Sequence, residues 1–83
     1  MFLHIGNDTV VPVGDIIAIC DYRIFCSGPN LEWLEFMRER DAVQDAGGAT
    51  KSLIVADGMA YLSAIAPHTL KQRADRPWTA KQS

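Results

Sequence analysis

The sequence has few cysteines, no long apolar run and no excess of basic residues. Two cysteines among 83 residues are too few for the disulfide framework of a small secreted domain. No uncharged stretch approaches the roughly 20 apolar residues that a membrane-spanning helix needs. Eight Lys and Arg side chains against ten Asp and Glu give a formal charge of −2. We therefore expect a cytoplasmic domain with reduced thiols and no membrane contact.

The length of the chain limits it to one domain. A chain of this size buries roughly 60–65% of its unfolded surface, so its margin of stability is small and a partner subunit often adds to it. We expect one domain over residues 1–76 and a loose tail over 77–83. No signal peptide is expected, because a strand-like pattern follows Met1 directly.

The first quarter of the chain predicts three strands. Residues 2–6 alternate between two faces, and a Gly-Asn-Asp turn signal follows them. The β-rich segment 9–13 contains Pro12, which favours a sheet edge or a bend. After a break at Gly14, residues 16–22 are apolar on both faces, so this third strand is predicted to be central and covered.

The middle of the chain predicts one helix followed by a loop. Pro29 suits a first helical turn, and residues 31–40 carry an apolar stripe at helical spacing. Residues 41–50 contain two adjacent glycines and are predicted to form a flexible loop. This helix is the central helix of the predicted fold.

The last part of the chain predicts a hairpin and a short helix. Asp57-Gly58 between two β-rich segments is a strong hairpin signal. Pro67 is predicted to begin a short helix and Pro77 to end it. The order of elements indicates an α+β fold with a small, mainly antiparallel sheet, one central helix and a short C-terminal helix.

Side chains that could ligate a metal are few and poorly spaced. The cysteines are Cys20 and Cys26, and the histidines are His4 and His68, so no pair has the spacing of a zinc site. We read the cysteines as small apolar side chains and the histidines as surface or half-buried imidazoles. No metal, cofactor or small-molecule ligand is expected.

The sequence also lacks the motifs of an enzyme. Ser52 and Ser63 lie within predicted strands, whereas a nucleophilic serine usually sits at a sharp turn from strand to helix. The stretch AGGATKS (46–52) resembles a phosphate-binding loop, but its glycines are adjacent and a strand follows it. We therefore predict that the protein is not an enzyme.

Half of the basic side chains lie in the last sixteen residues. They are Lys71, Arg73, Arg76 and Lys81, and they share this segment with one acidic residue, Asp75. The two interpretations are a contact surface for nucleic acid and a solvated, solubilising end. The net negative charge of the chain favours a solvated end, but an oligomer that repeats one basic edge would favour a contact surface for nucleic acid. Trp78 lies in the same segment and is predicted to anchor a subunit interface.

Two long stretches of the sequence carry a family resemblance. HIGNDTVVPVGDIIAICD begins at His4, and TKSLIVADGMAYLSAIAPHTLKQRA begins at Thr50. In this order they resemble the RemA/RemB family, small bacterial regulators of extracellular-matrix and biofilm genes. The resemblance covers about His4 to Ala74. It is closest to the RemB branch in the H-x-G-x-D opening, in Lys51-Ser52 and in the TLKxRA run, while YLSAI also matches the RemA branch.

The resemblance implies a transcriptional regulator that binds double-stranded DNA as a ring-shaped homo-oligomer. It also implies a subunit similar to the LytTR DNA-binding domain, with basic residues presented by the ring to wrapped DNA. Phosphate contacts from many subunits would then add. The candidate DNA contacts that this chain retains are Lys51, Lys71, Arg73, Arg76 and Arg23.

Three positions depart from the RemA branch. Two arginines precede the strand that starts here at Lys51, and this chain has Gly48 and Ala49 in their place. A third arginine, just before Ile16, is replaced by Asp15. Losing or reversing charge at a phosphate contact weakens DNA binding. A second hypothesis therefore stays open: a ring-forming assembly or interaction module that has lost DNA binding and acts with a protein partner or a basic paralogue.

Overall fold

The structure, a computed structural model, describes residues 1–82 of the chain and the side chains of residues 1–75. Its elements confirm the predicted α+β class. In chain order they are β1 (Phe2–Gly6), β2 (Thr9–Pro12), β3 (Ile16–Asp21), α1 (Gly28–Glu39), β4 (Val43–Asp45), β5 (Ser52–Ala56), β6 (Met59–Ser63) and α2 (Pro67–Gln82). Two 3-10 turns flank β3, one at Val13–Asp15 and one at Tyr22–Phe25, which we call η.

The strands form a four-stranded sheet and a separate two-stranded ribbon. The sheet has the order β3-β5-β6-β4, and β1 pairs with β2 in the ribbon. β5 pairs antiparallel with both β3 and β6, and β4 runs parallel to β6. β5 and β6 are therefore the central strands.

The predicted hairpin of β5 and β6 is present, and β1 and β2 form a second hairpin at the predicted turn. Each turn contains a residue with positive φ. Asn7 has a φ of 40° between β1 and β2, and Gly58 has a φ of 75° between β5 and β6. Asn and Gly are the residues that adopt this backbone region at least cost. The turns set a register in which Leu3 lies opposite Val11 and Leu53 lies opposite Leu62.

The sheet separates two apolar cores. On one face the ribbon and α2 cover the sheet, and the buried side chains there are Leu3, Ile5, Val11, Ala46, Ile54, Ala56 and Leu70. On the other face α1 and η cover it, and the buried side chains are Phe25, Leu34, Leu53, Ala60 and Leu62. This arrangement explains why strands β3, β5 and β6 are apolar on both faces.

Two buried serines join the layers. The Ser63 hydroxyl lies 2.6 Å from the Ile5 carbonyl oxygen in β1, and it accepts a 3.0 Å hydrogen bond from the Ile65 N–H. The Ser52 hydroxyl donates to the Ile65 carbonyl oxygen at 2.5 Å. Both serines thus hold the segment that leads into α2.

The prediction that the third strand is central was wrong, because β3 is an edge of the sheet. Its side chains are half-buried, and Ile17 is 71% exposed. Layers on both faces of the sheet account for its apolar side chains, but no strand of the described chain pairs with its outer edge. Two apolar faces indicate two covering layers and do not distinguish a central strand from an edge strand.

The predicted loop at residues 41–50 contains a strand that was missed. β4 has only three residues and pairs parallel with β6, with Val43 opposite Ala60. A strand this short has too little alternation to be recognised in the sequence. Pairing with β6, which is distant in the chain, determines it.

The predicted end of the second helix was also wrong. α2 continues through Pro77 to Gln82 and has 16 residues. A proline inside a helix removes one backbone hydrogen bond and favours a kink, but it does not by itself end the helix.

Candidate nucleic-acid interface

A depression of about 260 Å³ lies where the end of β3 meets the start of α2. It is lined by Asp21, Arg23, Thr50, Lys51, Ala66 and Pro67. Two of the predicted DNA contacts, Arg23 and Lys51, therefore share one concave surface although 28 positions separate them in the sequence. Both side chains are exposed.

Backbone hydrogen bonds hold these two cations close together. The Lys51 N–H donates to the Ser63 carbonyl oxygen at 2.8 Å, and the Lys51 carbonyl oxygen accepts from the Tyr22 N–H at 3.0 Å. Lys51 is thus fixed between the ends of β3 and β6, next to the residue that precedes Arg23. These bonds fix the backbone from which the Lys51 side chain projects.

Arg23 forms an ion pair with Asp21 inside the depression. Its Nη2 lies 2.6 Å from Asp21 Oδ2, and its Nε lies 3.1 Å from both carboxylate oxygens. The Arg23 backbone N–H also donates to Asp21 Oδ1 at 2.9 Å, which caps the η turn. Among the described residues Lys51 has no ion-pair partner, whereas the charge of Arg23 is paired with that of Asp21.

Asp21 is expected to remain ionised far into the acid range. The hydrogen bond from the Arg23 side chain, followed by the bond from its backbone N–H, lowers the pKa of Asp21 from 3.8 to about 2. A lowered pKa in the folded state means that the pair stabilises the fold fully above pH 3.8 and is lost as the pH falls through about 2.

The Asp21 carboxyl carbon, followed by NMR, should therefore titrate with a midpoint near 2. In Arg23→Gln the midpoint should move back towards 3.8, because the main cause of the shift is removed. A midpoint that is the same in both proteins would show that the two side chains do not pair in solution.

Lys71 and Arg73 lie on different sides of α2. Lys71 follows Pro67, which lines the depression, by about one helical turn on the same face of α2. It also borders a groove between α2 and the edge of β3, together with Asp75. Arg73 turns towards β1, where its Nη1 lies 3.5 Å from the His4 carbonyl oxygen.

The structure therefore places two of the five predicted DNA contacts, Lys51 and Arg23, in one depression. Lys71 borders the neighbouring groove along α2, and Arg73 lies apart from all three. The side chains of Arg76 and Trp78 lie outside the part whose side chains the structure describes, so both assignments stay predictions. Sequence reasoning missed Asp21. Its signal was the D-x-R spacing at the end of a strand, where an aspartate caps the next turn and meets the side chain two residues on.

The glycine at position 48 suits the local backbone. Gly48 has a φ of 80°, and a Cβ there would lie 2.9 Å from the Cβ of Ala64. An arginine would meet both strain and crowding in this backbone conformation. Asp15 lies at the opposite end of β3 from Lys51, where its carbonyl oxygen accepts from the Asp57 N–H.

Gly48→Arg is expected to destabilise the protein by about 1–2 kcal/mol, because a side chain is placed in the left-handed region. Ala49→Arg is the matched control, since Ala49 is exposed and does not have a positive φ. Urea denaturation measures both changes. Equal stability of the two variants would contradict the strained position of residue 48.

The described side chains contain no group of three or more His, Cys, Asp and Glu that could hold a metal ion. Cys20 and Cys26 are free thiols, and the His4 ring contacts the Asn7 carbonyl oxygen within its own hairpin. Among the described residues, no helix is both long enough and apolar enough to cross a membrane.

Comparison with known proteins gives two matches. A model of the RemA-like family, described as extracellular matrix regulatory protein A-like, matches residues 2–74. Extracellular matrix regulatory protein B of Bacillus subtilis (strain 168) is 34% identical over 74 residues, which are 89% of this chain and 90% of that protein. The matched region includes every element from β1 to the first half of α2.

Proposed function

Because the chain belongs to the RemA-like family of extracellular matrix regulatory proteins, we propose that it regulates transcription of matrix or biofilm genes by binding double-stranded DNA. The binding form is a ring-shaped homo-oligomer in the cytoplasm. The family description names a regulatory protein and not an enzyme. The expected likeness of the subunit to a LytTR domain stays a prediction.

The observation that carries the proposal is the shared depression of Lys51 and Arg23, with Lys71 beside it. Lysine and arginine bind phosphate oxygens, and contacts of this kind supply most of the sequence-independent affinity for DNA. Sheet pairing fixes the backbone of Lys51 before DNA arrives, which lowers the entropic cost of contact.

The acidic total charge requires that the basic side chains act together. With a formal charge of −2, one subunit would be repelled by DNA at long range. A ring that turns the same depression of every subunit towards the duplex would place its cations near phosphates and its acids elsewhere. Asp15 and Asp57 fit this division, because they lie at the far end of the sheet from Lys51.

The outer edge of β3, with which no strand of the described residues pairs, supports self-association. An exposed apolar edge strand presents free backbone groups to another chain. Ile17 on β3 is 71% exposed, and Ile24 in the η turn is 51% exposed. Trp78 remains a predicted interface anchor beyond the described side chains, and co-assembly with a basic paralogue would supply further positive charge.

A second function is favoured by the Asp21–Arg23 pair. Neutralisation of Arg23 leaves each subunit with a small free positive charge in the depression. An assembly or protein-interaction module of the same fold, without DNA binding, would tolerate this arrangement. It would also tolerate Asp15, Gly48 and Ala49 in place of arginines.

Two measurements on the same preparation separate these functions. Light scattering gives the mass of the assembly, and a gel shift with a fluorescent duplex at low salt tests DNA binding. A defined oligomer that retards the duplex supports the first function. A defined oligomer that leaves the duplex free supports the second, and a monomer would contradict both.

A further inference from the structure

One edge of the Arg23 guanidinium, formed by Nε and Nη2, is already hydrogen-bonded within the protein. Asp21 takes both Nε and Nη2, with contacts of 2.6 and 3.1 Å. This is the paired, planar arrangement in which arginine also binds a phosphate group, with two donors of one guanidinium facing two oxygens. A phosphate that reaches the depression therefore meets an arginine whose best donor pair is in use.

The pair is also open to exchange. The Arg23 side chain is 88% exposed and that of Asp21 is 36% exposed, so water can replace either partner during an exchange. Exposed ion pairs of this kind contribute little to stability. The Asp21 carboxylate can release the guanidinium and still accept the hydrogen bond from the Arg23 backbone N–H, which caps the η turn.

The depression around the pair has the chemistry of a phosphate site. Lys51 supplies a second cation, and Thr50 lies beside it with a side-chain hydroxyl that can donate a hydrogen bond. The space of about 260 Å³ exceeds what one phosphate group needs, and it is open to solvent. Asp21 is the acidic side chain that lines it.

We propose that this depression binds a phosphate group and that Asp21 is its internal competitor. The proposal rests on the function proposed above, which makes a phosphodiester of duplex DNA the source of the phosphate. Free phosphate is the other source of the same group. The ligand takes the Nε and Nη2 donors of Arg23 from Asp21, and Lys51 neutralises its charge. Asp21 thereby lowers the affinity of each subunit and makes binding depend on many subunits acting together.

Asp21→Asn tests this competition. The amide retains an oxygen that can cap the η turn, so the local backbone is expected to persist while the competing charge is lost. Duplex affinity should rise several-fold, because the phosphate no longer has to displace a carboxylate from the Arg23 guanidinium. Glu35→Gln on α1 is the matched control, because it removes one exposed negative charge far from the depression.

A double variant shows whether the gain acts through Arg23. In Asp21→Asn combined with Arg23→Gln the increase in affinity should disappear, since no guanidinium is released. An Asp21→Asn protein that binds no more tightly than Glu35→Gln would overturn the proposal. So would an increase that survives the loss of Arg23.

A second probe distinguishes failure of this inference from failure of the proposed function. Inorganic phosphate is titrated into the wild type and Asp21→Asn, and the Arg23 Nε–H signal is followed by NMR. If no duplex binds but phosphate moves this signal at lower concentration in the variant, the site stands and DNA is not its ligand. If phosphate moves the signal in neither protein and the variant gains no duplex affinity, the site is refuted.

Discussion

Lys51→Glu is expected to abolish duplex binding while the mass of the assembly stays unchanged. The substitution replaces the ammonium group of Lys51 with a second carboxylate in the depression that Asp21 also lines, so attraction to phosphate becomes repulsion. In an oligomer every subunit carries the substitution, so the losses of DNA-binding free energy from the individual subunits add up. Lys51 is exposed, and its structural contacts are made by its backbone, so the fold should persist.

The matched control for this variant is Arg38→Glu on α1. It changes the charge by the same amount, is exposed, and lies on the helix that covers the other side of the sheet. Anisotropy with a fluorescent duplex measures binding, and light scattering measures mass. Duplex binding by Lys51→Glu that equals that of Arg38→Glu would remove Lys51 from the interface.

Leu70→Ala is expected to destabilise the protein by about 2–5 kcal/mol, the range for truncating a fully buried leucine. Leu70 is 0% exposed and packs from α2 into the core that it shares with buried side chains of β1, β2 and β5. Total stabilities of small domains are about 5–15 kcal/mol, so much of the margin would be lost. Because Lys71 is adjacent to Leu70, weaker packing of α2 would also leave the position of the Lys71 side chain less well defined.

Val10→Ala is the control for this substitution. Val10 is apolar and lies in β2, but it is 50% exposed, so its truncation should cost less than about 1 kcal/mol. Urea denaturation at a fixed protein concentration measures both variants, since the stability of an oligomer depends on concentration. Equal losses in the two would show that α2 is not held by Leu70.

The parts of the fold that the sequence predicted are those with local causes. The two hairpins follow from turn residues that tolerate positive φ, at Asn7 and at Gly58. The start of α1 follows from Pro29 in its first turn. In each case neighbouring residues decide the structure, so a short window of sequence is sufficient.

The parts that the sequence did not predict depend on distant partners. β4 exists because β6 lies beside it, and β3 is an edge because no described strand pairs with its outer side. α2 continues past Pro77, although a proline there favours an end. Neither local propensity nor periodicity contains this information.

The candidate site shows the same division. The basic residues could be chosen from the sequence, but not which of them lie together. Pairing of the Tyr22 N–H with the Lys51 carbonyl oxygen brings Lys51 next to Arg23, while helix geometry separates Arg73 from Lys71. The neutralising role of Asp21 follows from side-chain geometry that appears only in the folded protein.

The salt dependence of duplex affinity tests the proposed interface most directly, on protein whose mass light scattering has fixed. Even if Lys51, Arg23 and Lys71 all contacted phosphates, one subunit would give a slope of log K against log salt no steeper than about −2.7, at −0.9 per phosphate. A ring that engages several subunits predicts a clearly steeper slope than this value. A well-formed oligomer that does not bind the duplex at low salt, or binds it with a slope no steeper than that of one subunit, would contradict a basic face repeated around a ring.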